Sequence, residues 1–147
     1  MKSQIRQHIK EVVAAIPAQQ KKEYVFVVTQ KIIEKFGHLK TRHVYQSMED
    51  EIDTTPLITH LQKAGKKIFF CEKTGSMSDP QETLDIIIVP GRAFTRDNKR
   101  LGRGGGHYDS FLSNYRTTKK VWICFPEQII DDIPQEDHDI LMNEVLY

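Results

Sequence analysis

The sequence predicts a three-layer α/β/α fold, with helices on both faces of a mostly parallel sheet and a small β-hairpin before a glycine-rich loop. Segments with apolar residues at helical spacing alternate along the chain with short apolar runs. This alternation is typical of layered α/β domains. The predicted strand Asp85–Val89 is almost entirely apolar, as are strands inside a parallel sheet.

The helices are predicted from apolar periodicity and from residues that begin or end helices. The first, Lys2–Ala15, has Ile5, Ile9 and Val12 on one face. A second helix is predicted with Pro17 in its first turn and Gly37 as its stop. A third is predicted with Thr54 or Thr55 as its cap and Pro56 at its first position, ending at Ala64 before Gly65. A fourth is predicted at Ser110–Tyr115.

Short apolar runs predict the strands. They are Arg42–Ser47, Lys67–Cys71, Asp85–Val89, Lys120–Phe125 and Glu144–Leu146. The segment Ala93–Leu101, with Arg96–Lys99 at its tip, predicts the hairpin, and Glu72–Thr83 is predicted to be a loop.

Length and charge limit the classes of function. The 147 residues fit one domain, which we predict to be a single α/β domain over residues 1–147, as a monomer or weak homodimer. The formal net charge is +1, so no overall field attracts nucleic acid or an anionic membrane, and anion binding must be local. We expect neither nucleic acid nor a membrane among its partners.

The cysteines and the amino-terminal residues indicate a compartment. Cys71 and Cys124 lie in apolar runs, which is typical of small buried hydrophobes in a reducing environment. The start, MKSQIRQHIKE, has no apolar core of the kind that signal peptides carry, and no run has the length of a membrane span. We expect a cytoplasmic protein.

The most informative stretch is Arg100–Asp109, RLGRGGGHYD, with four glycines and two arginines. Glycine lets an anion approach the main chain, arginine adds permanently charged planar donors, and N–H groups at the start of a following helix attract anions. Asp109 follows the loop, where it would hold a divalent cation against a polyphosphate. The stretch matches neither a Walker loop nor a dinucleotide fingerprint. It predicts an anion cradle for a nucleotide; the alternative is a turn that only connects a strand to a helix.

Two further polar loops follow predicted strands. These loops are Gln46–Asp53 and Glu127–Asp139, beside the segment Arg92–Asp109 that carries the glycine loop. Ligands of parallel sheets bind outside the carboxyl ends of the strands. We therefore expect the three loops to converge on one site.

Several motifs in order along the chain carry a resemblance to one family. They are Lys2-Ser-Gln-Ile-Arg6, Glu51-Ile52-Asp53-Thr54, the strand Asp85–Gly91 followed by a hairpin and Arg100–Asp109, and the pair His138-Asp139. In this order they resemble the 5-formyltetrahydrofolate cyclo-ligase (5,10-methenyltetrahydrofolate synthetase) family. The resemblance spans essentially the whole chain, and the long central signature is highly specific.

The resemblance implies a ligase of one-carbon metabolism. Such an enzyme uses ATP and Mg²⁺ to convert 5-formyltetrahydrofolate into 5,10-methenyltetrahydrofolate, releasing ADP and phosphate. The implied route activates the formyl oxygen with the γ-phosphate, after which N10 attacks and phosphate leaves. This chemistry depends on charge neutralisation and positioning more than on a protein nucleophile.

The same resemblance implies roles for individual residues, with Arg103, which borders the formyl group, as the catalytic residue. The implied nucleotide-binding residues are Lys2, Arg6, Arg100, Leu101, Gly102, Arg103, Gly104, Gly105, Gly106, His107 and Tyr108. The implied folate-binding residues are Gln46, Glu51, Arg103, Gly104, Gly105, Gly106 and His107. Asp109 and Asp139 are the implied Mg²⁺ ligands.

The residues alone leave alternatives open. Lys2 and Arg6 also suit a solvated helix face, Asp139 suits the N-cap of a last short helix, and Glu51 suits an exposed loop. The segment Cys71–Leu84 is shorter than in the family and lacks its helical insert and Glu-Pro pair. An alternative function is therefore a nucleotide- or folate-binding relative with weak or no cyclo-ligase activity. Fold analogy alone suggests a sugar-phosphate isomerase or CoA-transferase relative, with Glu51 as its base.

Overall fold

The computed structural model describes residues 1–71, 84–104, 107–136 and 139–147; within these ranges it describes only the backbone of Thr41, Cys71, His107, Asp109 and Ser110. The helices described are α1 (Lys2–Ala14), α2 (Ala18–Phe36), α3 (Thr55–Lys63) and α4 (His107–Leu112), with a 3₁₀ turn at Pro126–Gln128. The strands described are β1 (Thr41–Tyr45), β2 (Lys67–Cys71), β3 (Ile86–Val89), β4 (Ala93–Phe94), β5 (Arg100–Leu101), β6 (Lys119–Ile123) and β7 (Glu144–Leu146).

Five strands form one sheet in the order β2-β1-β3-β6-β7, and each neighbouring pair is parallel. Strands β4 and β5 pair separately as an antiparallel hairpin. The predicted α/β class, parallel sheet and hairpin are confirmed. The chain passes from β1 to β2 on one side and then to β3 on the other, so the strand order reverses between β1 and β3. Ligands of such sheets bind in the crevice at this reversal, outside the carboxyl ends of the strands.

The core lies between the sheet and the apolar faces of the helices. All four residues of β3 are buried, as are Val121, Trp122 and Ile123 of β6. On α2, Val28, Ile32 and Phe36 are buried at intervals of one helical turn. No helix in the described ranges is long and apolar enough to cross a bilayer.

Helix α3 starts with a different capping residue from the one predicted, and it ends at the predicted glycine. Thr54 does not cap α3: its hydroxyl donates to the carbonyl of Tyr45 at 2.8 Å, while the Asp53 carboxylate accepts the N–H of Thr55 at 2.9 Å. At the other end of α3, Gly65 has a φ of +72°, and the N–H of Lys66 donates to the carbonyl of Leu61 at 3.0 Å. This is the left-handed helix stop that glycine favours.

The remaining differences concern element boundaries and the ends of the chain. α4 begins at His107 and has six residues, whereas a helix at Ser110–Tyr115 was predicted. The residues described after Asp139 form β7 and no helix, so the N-cap interpretation of Asp139 is wrong. Cys124 is buried and free, as predicted; the side chain of Cys71 and the predicted loop at residues 72–83 lie outside the description.

Candidate active site

The three polar loops meet at the carboxyl edge of the sheet, as expected. The loop after β1 contacts the glycine loop through Arg103, whose guanidinium pairs with Asp50 and Glu51. The segment after β6 contacts the segment after β3, because the Gln128 amide donates to the carbonyls of Gly91 at 3.2 Å and Arg92 at 3.1 Å. The site therefore lies at the reversal of strand order between β1 and β3.

Four charged residues at this edge form what we call the arginine–carboxylate cluster: Asp50, Glu51, Arg92 and Arg103. Asp50 bridges the two arginines, with Oδ1 accepting from Arg103 and Oδ2 from Arg92. Glu51 Oε2 lies 3.4 Å from Arg103 Nε, and Glu51 Oε1 accepts the backbone N–H of Met48 at 2.9 Å. The Glu51 side chain is only 6% exposed, so the interpretation of Glu51 as an exposed loop charge is wrong.

The two carboxylates of the cluster are shifted in opposite directions. Burial raises the pKa of Glu51 above its ordinary value, although the Met48 N–H and the Arg103 charge oppose this. For Asp50, burial also acts to raise the pKa, but hydrogen bonds and charge from Arg103 and Arg92 outweigh it, so the pKa is lowered. Asp50 therefore keeps its charge over a wider acid range than Glu51. The same two carboxylates raise the pKa of the Arg103 guanidinium against the effect of its burial.

A groove of about 1010 Å³ adjoins the cluster. Its apolar wall comes from α2, the loop after β1, the start of α3 and the residue before the 3₁₀ turn. Among its residues are Val25, Phe26, Ile33, Met48, Pro56 and Phe125. Glu51, Lys21 and Lys22 also line the groove. A cleft of this size that combines an apolar wall with polar side chains can hold a small molecule that has both apolar and polar parts. It suits a flat, largely apolar ligand that carries polar groups near Glu51.

The glycine loop is held by its own arginines. Gly104 has a φ of +110°, a conformation that glycine adopts without strain. Arg100 Nε donates to the carbonyl of Pro90 at 2.7 Å, and its guanidinium lies 5.3 Å from the centre of the Tyr108 ring. A Cβ at Gly102 would come within 3.2 Å of the Arg100 guanidinium, so the close passage of Arg100 favours glycine at that position. Arg100 thus stabilises the conformation of the glycine loop through these contacts.

Helix α1 contacts the glycine loop and the carboxyl-terminal segment. Arg6 Nε donates to the carbonyl of Gly102 at 2.8 Å. Lys2 Nζ lies 3.1 Å from Asp139 Oδ2 and 3.6 Å from a Glu136 carboxylate oxygen. Asp139 Oδ2 also accepts the N–H of Glu136 at 2.8 Å. Lys2 and Arg6 are therefore engaged at the edge of the site, and their interpretation as a solvated helix face is wrong.

Other residues implied by the resemblance are placed less directly. Gln46 is exposed and does not line the groove as far as the structure describes it. Leu101 is 1% exposed, and its carbonyl accepts the N–H of Arg92 at 2.7 Å, so only its main chain is near the site. Tyr108 is buried.

Part of the implied site cannot be placed. Gly105 and Gly106 and the side chains of His107 and Asp109 lie outside what the structure describes, and their roles stay predictions. The six-residue length of α4 also changes the expected source of anion attraction. A helix so short has a small dipole, so the charges of Arg103, Arg6 and Lys2 are the stronger contribution.

Two residues of the cluster lie outside the motifs of the resemblance. Asp50 precedes Glu51 in the acidic run MEDEID, but only Glu51 belongs to the motif. The charge of Arg92 predicts local anion binding, but its contact with Asp50 was not predicted. The available signal was their position, because each lies three residues after the end of a predicted strand at the expected ligand edge.

The described residues offer Mg²⁺ no complete cage of protein ligands. They contain no group of three or more His, Cys, Asp or Glu side chains able to hold a metal ion. Mg²⁺ bound to a polyphosphate requires only one or two carboxylates, because phosphate oxygens and waters complete its octahedron. Asp139 fits this role: its side chain is 10% exposed, and its carboxylate already holds the cationic Lys2.

Comparisons with known proteins identify one family. The family model described as the 5-formyltetrahydrofolate cyclo-ligase family matches residues 71–147. The mouse protein named 5-formyltetrahydrofolate cyclo-ligase is 28% identical over 185 aligned positions, which cover 97% of this chain and 91% of the mouse protein. A Caenorhabditis elegans protein named probable 5-formyltetrahydrofolate cyclo-ligase is 29% identical over 190 positions, covering 100% of this chain and 92% of that protein.

A solved structure supports the fold. The 5,10-methenyltetrahydrofolate synthetase from Mycoplasma pneumoniae superimposes with a TM-score of 0.84, covering 99% of this chain and 97% of that one, at 20% sequence identity. The relatives matched over nearly full length are cyclo-ligases, and the family is one of ligases. With a fold that superimposes on the synthetase and a family model that matches residues 71–147, this chain belongs to the 5-formyltetrahydrofolate cyclo-ligase family.

Proposed function

We propose that this protein catalyses the ATP-dependent cyclisation of 5-formyltetrahydrofolate to 5,10-methenyltetrahydrofolate, with release of ADP and phosphate. The observation that carries the proposal is the position of Glu51. This buried carboxylate lines an apolar groove on one side and contacts the glycine-loop residue Arg103 on the other. A folate in the groove and a phosphate at the loop would thus be brought to the same place.

In the groove, the flat pterin and aminobenzoyl rings of the folate pack against apolar residues such as Phe26, Met48 and Phe125. Glu51, ionised and acceptor-only, receives N–H donors from the pterin. Its burial strengthens these hydrogen bonds, because little water competes for the carboxylate. This arrangement orients the formyl group toward the glycine loop.

At the loop, the residues neutralise and align the reacting phosphate. Arg103 donates to oxygens shared between the formyl group and the γ-phosphate, and its raised pKa keeps it cationic throughout. Lys2 and Arg6 approach the phosphates from α1. Asp139 and Asp109 would hold Mg²⁺, which supplies further neutralisation of the polyphosphate when bound.

The reaction then balances as follows. The formyl oxygen attacks the γ-phosphorus and ADP leaves. The N10 lone pair attacks the activated formyl carbon, and N10 gives up its proton to the phosphate oxygens or to water. The carbon–oxygen bond then breaks to release inorganic phosphate that carries the former formyl oxygen. The protein contributes position and charge, which account for most of the catalysis of phosphoryl transfer.

The test is direct. Purified protein with ATP, Mg²⁺ and 5-formyltetrahydrofolate should produce the absorbance of methenyltetrahydrofolate and one ADP per product. Asp109→Asn should lower turnover by orders of magnitude, since neutralisation of developing charge is a large catalytic contribution. Folded protein that binds nucleotide but forms no product would overturn the proposal, and a wild-type rate for Asp109→Asn would overturn the metal assignment alone.

A second candidate is a nucleotide- or folate-binding protein with little turnover. The alignment with the mouse relative runs over 185 positions and this chain has 147 residues, so the relative carries segments that this chain lacks. Calorimetry distinguishes the two candidates. Tight binding of ATP with no binding of the folate favours the second, whereas binding of both ligands together with product formation favours the enzyme. A cytoplasmic location and a monomer or weak homodimer complete the proposal.

A further inference from the structure

We infer that Asp50, held in place by Arg92, is a positioning residue that orients the Arg103 guanidinium toward Glu51 and the reacting formyl group. The inference rests on the proposed function for its catalytic consequence, and on the arginine–carboxylate cluster for its geometry. Neither Asp50 nor Arg92 belongs to the motifs that mark the family here.

Arg103 is poorly held by its own backbone. It lies between Gly102 and Gly104, in a loop where Gly104 has a φ of +110°, and its side chain is 33% exposed. Its contact with Glu51 is long, with Nε 3.4 Å from Oε2, which is at the outer limit of a hydrogen bond. The contact with Asp50 is closer and is the main restraint on the guanidinium.

The contacts leave Arg103 able to act. A guanidinium has five N–H donors. The Nε–H faces Glu51 and an Nη2–H faces Asp50, so two donors are used on the inner edge of the group. The contacts described for Arg103 use Nε and Nη2 and do not include Nη1. Asp50 thus restrains the guanidinium through one of its donors.

Asp50 is itself fixed through Arg92. Its second oxygen accepts from the Arg92 guanidinium, whose side chain is 11% exposed. The Arg92 backbone is held at both ends: its N–H donates to the carbonyl of Leu101 at 2.7 Å, and its carbonyl accepts from Gln128, which is 2% exposed. A continuous line of contacts therefore connects the buried end of β3 to the catalytic arginine.

The consequence is that Asp50→Asn should impair turnover without displacing either ligand. Asparagine keeps the shape of the side chain but removes the charge, so Arg103 is free to turn. Misplacing a catalytic group by about 1 Å costs up to about a hundredfold in rate. We expect kcat to fall about tenfold to a hundredfold while KM for ATP changes less than about threefold. Asp50→Glu should recover part of the rate, and Arg92→Gln should reproduce the loss.

Two measurements test the inference together. The first is a cycle of kcat values for wild type, Asp50→Asn, Arg103→Gln and the double variant. The second is the NMR signal of the Arg103 Nε–H in the free protein, identified by its loss in Arg103→Gln. Asp131→Asn, which removes an exposed carboxylate outside the cluster and outside the lining of the groove, is the control and should alter neither measurement.

The outcomes separate positioning from function. A loss of rate in Asp50→Asn that vanishes in the Arg103→Gln background, with loss of the slowly exchanging Nε–H signal, supports the inference. An equal loss of rate in both backgrounds overturns it, because Asp50 would then act without Arg103. If wild type forms no product, the proposed function fails, and the NMR signal of the Arg103 Nε–H alone tests the positioning role. An unchanged signal in Asp50→Asn overturns the positioning role, whereas loss of the signal supports it.

Discussion

The two charged regions of the candidate site are built differently. The arginine–carboxylate cluster joins four charges that balance, and it is tied to the buried end of β3 through Arg92. At the other end of the site, Lys2 from α1 pairs with Asp139, across 137 positions of sequence. The first region has its acidic and basic groups in the arrangement that we propose for catalysis. In the second, the proposed phosphate-binding and metal-binding groups are paired with each other.

This difference suggests a division of labour. The folate end of the site is prearranged, because Glu51 and Arg103 are oriented before either ligand binds. Under the proposed function, the phosphate end would be assembled by exchange, since Lys2 would pass from Asp139 to a phosphate as Asp139 takes up the cation. Prearranged groups contribute mainly to rate, whereas groups that exchange partners contribute mainly to ligand affinity.

The largest effect is expected from Arg103→Gln in the prearranged region. Removing one donor aimed at developing charge lowers kcat by about 10²–10³-fold. KM for ATP should change little, because Lys2 and Arg6 remain. Steady-state kinetics with each substrate varied checks this, with the exposed Arg116→Gln as the control. A rise in KM with kcat unchanged would mean that Arg103 only binds.

The next effect is expected from Asp139→Asn in the exchanging region. The substitution weakens a proposed ligand of Mg²⁺, so the Mg²⁺ concentration for half-maximal activity should rise about tenfold or more. A titration with Mg²⁺ at saturating ATP measures it, and the exposed Asp131→Asn should leave it unchanged. If the variant lost thermal stability with no change in Mg²⁺ requirement, Asp139 would be a structural residue of its turn.

A smaller effect is expected from Lys2→Gln. A part-exposed ion contact contributes up to about 1 kcal/mol, so KM for ATP should rise about fivefold, with kcat nearly unchanged. The rise should shrink at high salt, where such contacts are screened. Lys10→Gln, on the exposed face of the same helix, is the control. An equal rise of KM for ATP in Lys2→Gln and Lys10→Gln would indicate a general effect of the charge of α1.

The smallest effect is expected in the stability of Glu51→Gln. The folded protein binds a proton at Glu51 more tightly than the unfolded chain does, because its pKa is raised above 4.5, mainly by burial. Stability from this group is therefore complete below pH 4.5 and is lost as the pH rises through the raised pKa. At neutral pH the ionised Glu51 side chain destabilises the folded state, and the uncharged glutamine removes this destabilisation.

We therefore expect Glu51→Gln to melt at a higher temperature than wild type at pH 7 and to lose this advantage as the pH falls. Each 1 kcal/mol moves the midpoint by about 2–4 °C in a protein of this size. Calorimetric scans between acid and neutral pH measure it, with Glu49→Gln as the control. A constant difference at all pH values would assign the effect to packing rather than to ionisation.

The sequence predicted the strands better than it predicted the helix ends. The strands β2 and β7 have the predicted bounds, because short apolar runs between polar turns leave little freedom. The cap of α3 was assigned to threonine, but the structure uses Asp53 and turns the Thr54 hydroxyl toward Tyr45. Choosing among adjacent capping residues requires knowledge of the neighbouring strand, which the local sequence does not contain.

The candidate site shows the same limit more strongly. Glu51 and Arg103 were identified through motifs, but their contact was not, since they are 52 positions apart. Asp50 and Arg92 carry no motif at all. Their importance arises only when the ends of β1 and β3 lie side by side.

By itself, the sequence determined the alternation of helices and strands, the parallel class of the sheet and the glycine-rich loop with its arginines. These properties follow from local periodicity and from the backbone freedom of glycine, which act within a few residues. Only the tertiary structure decided which charges meet, pairing Asp50 with two arginines and Lys2 with Asp139. It also decided that Glu51 lines the groove. The physical reason is that electrostatic pairing and burial depend on distance in space, and the order of strands in the sheet sets that distance.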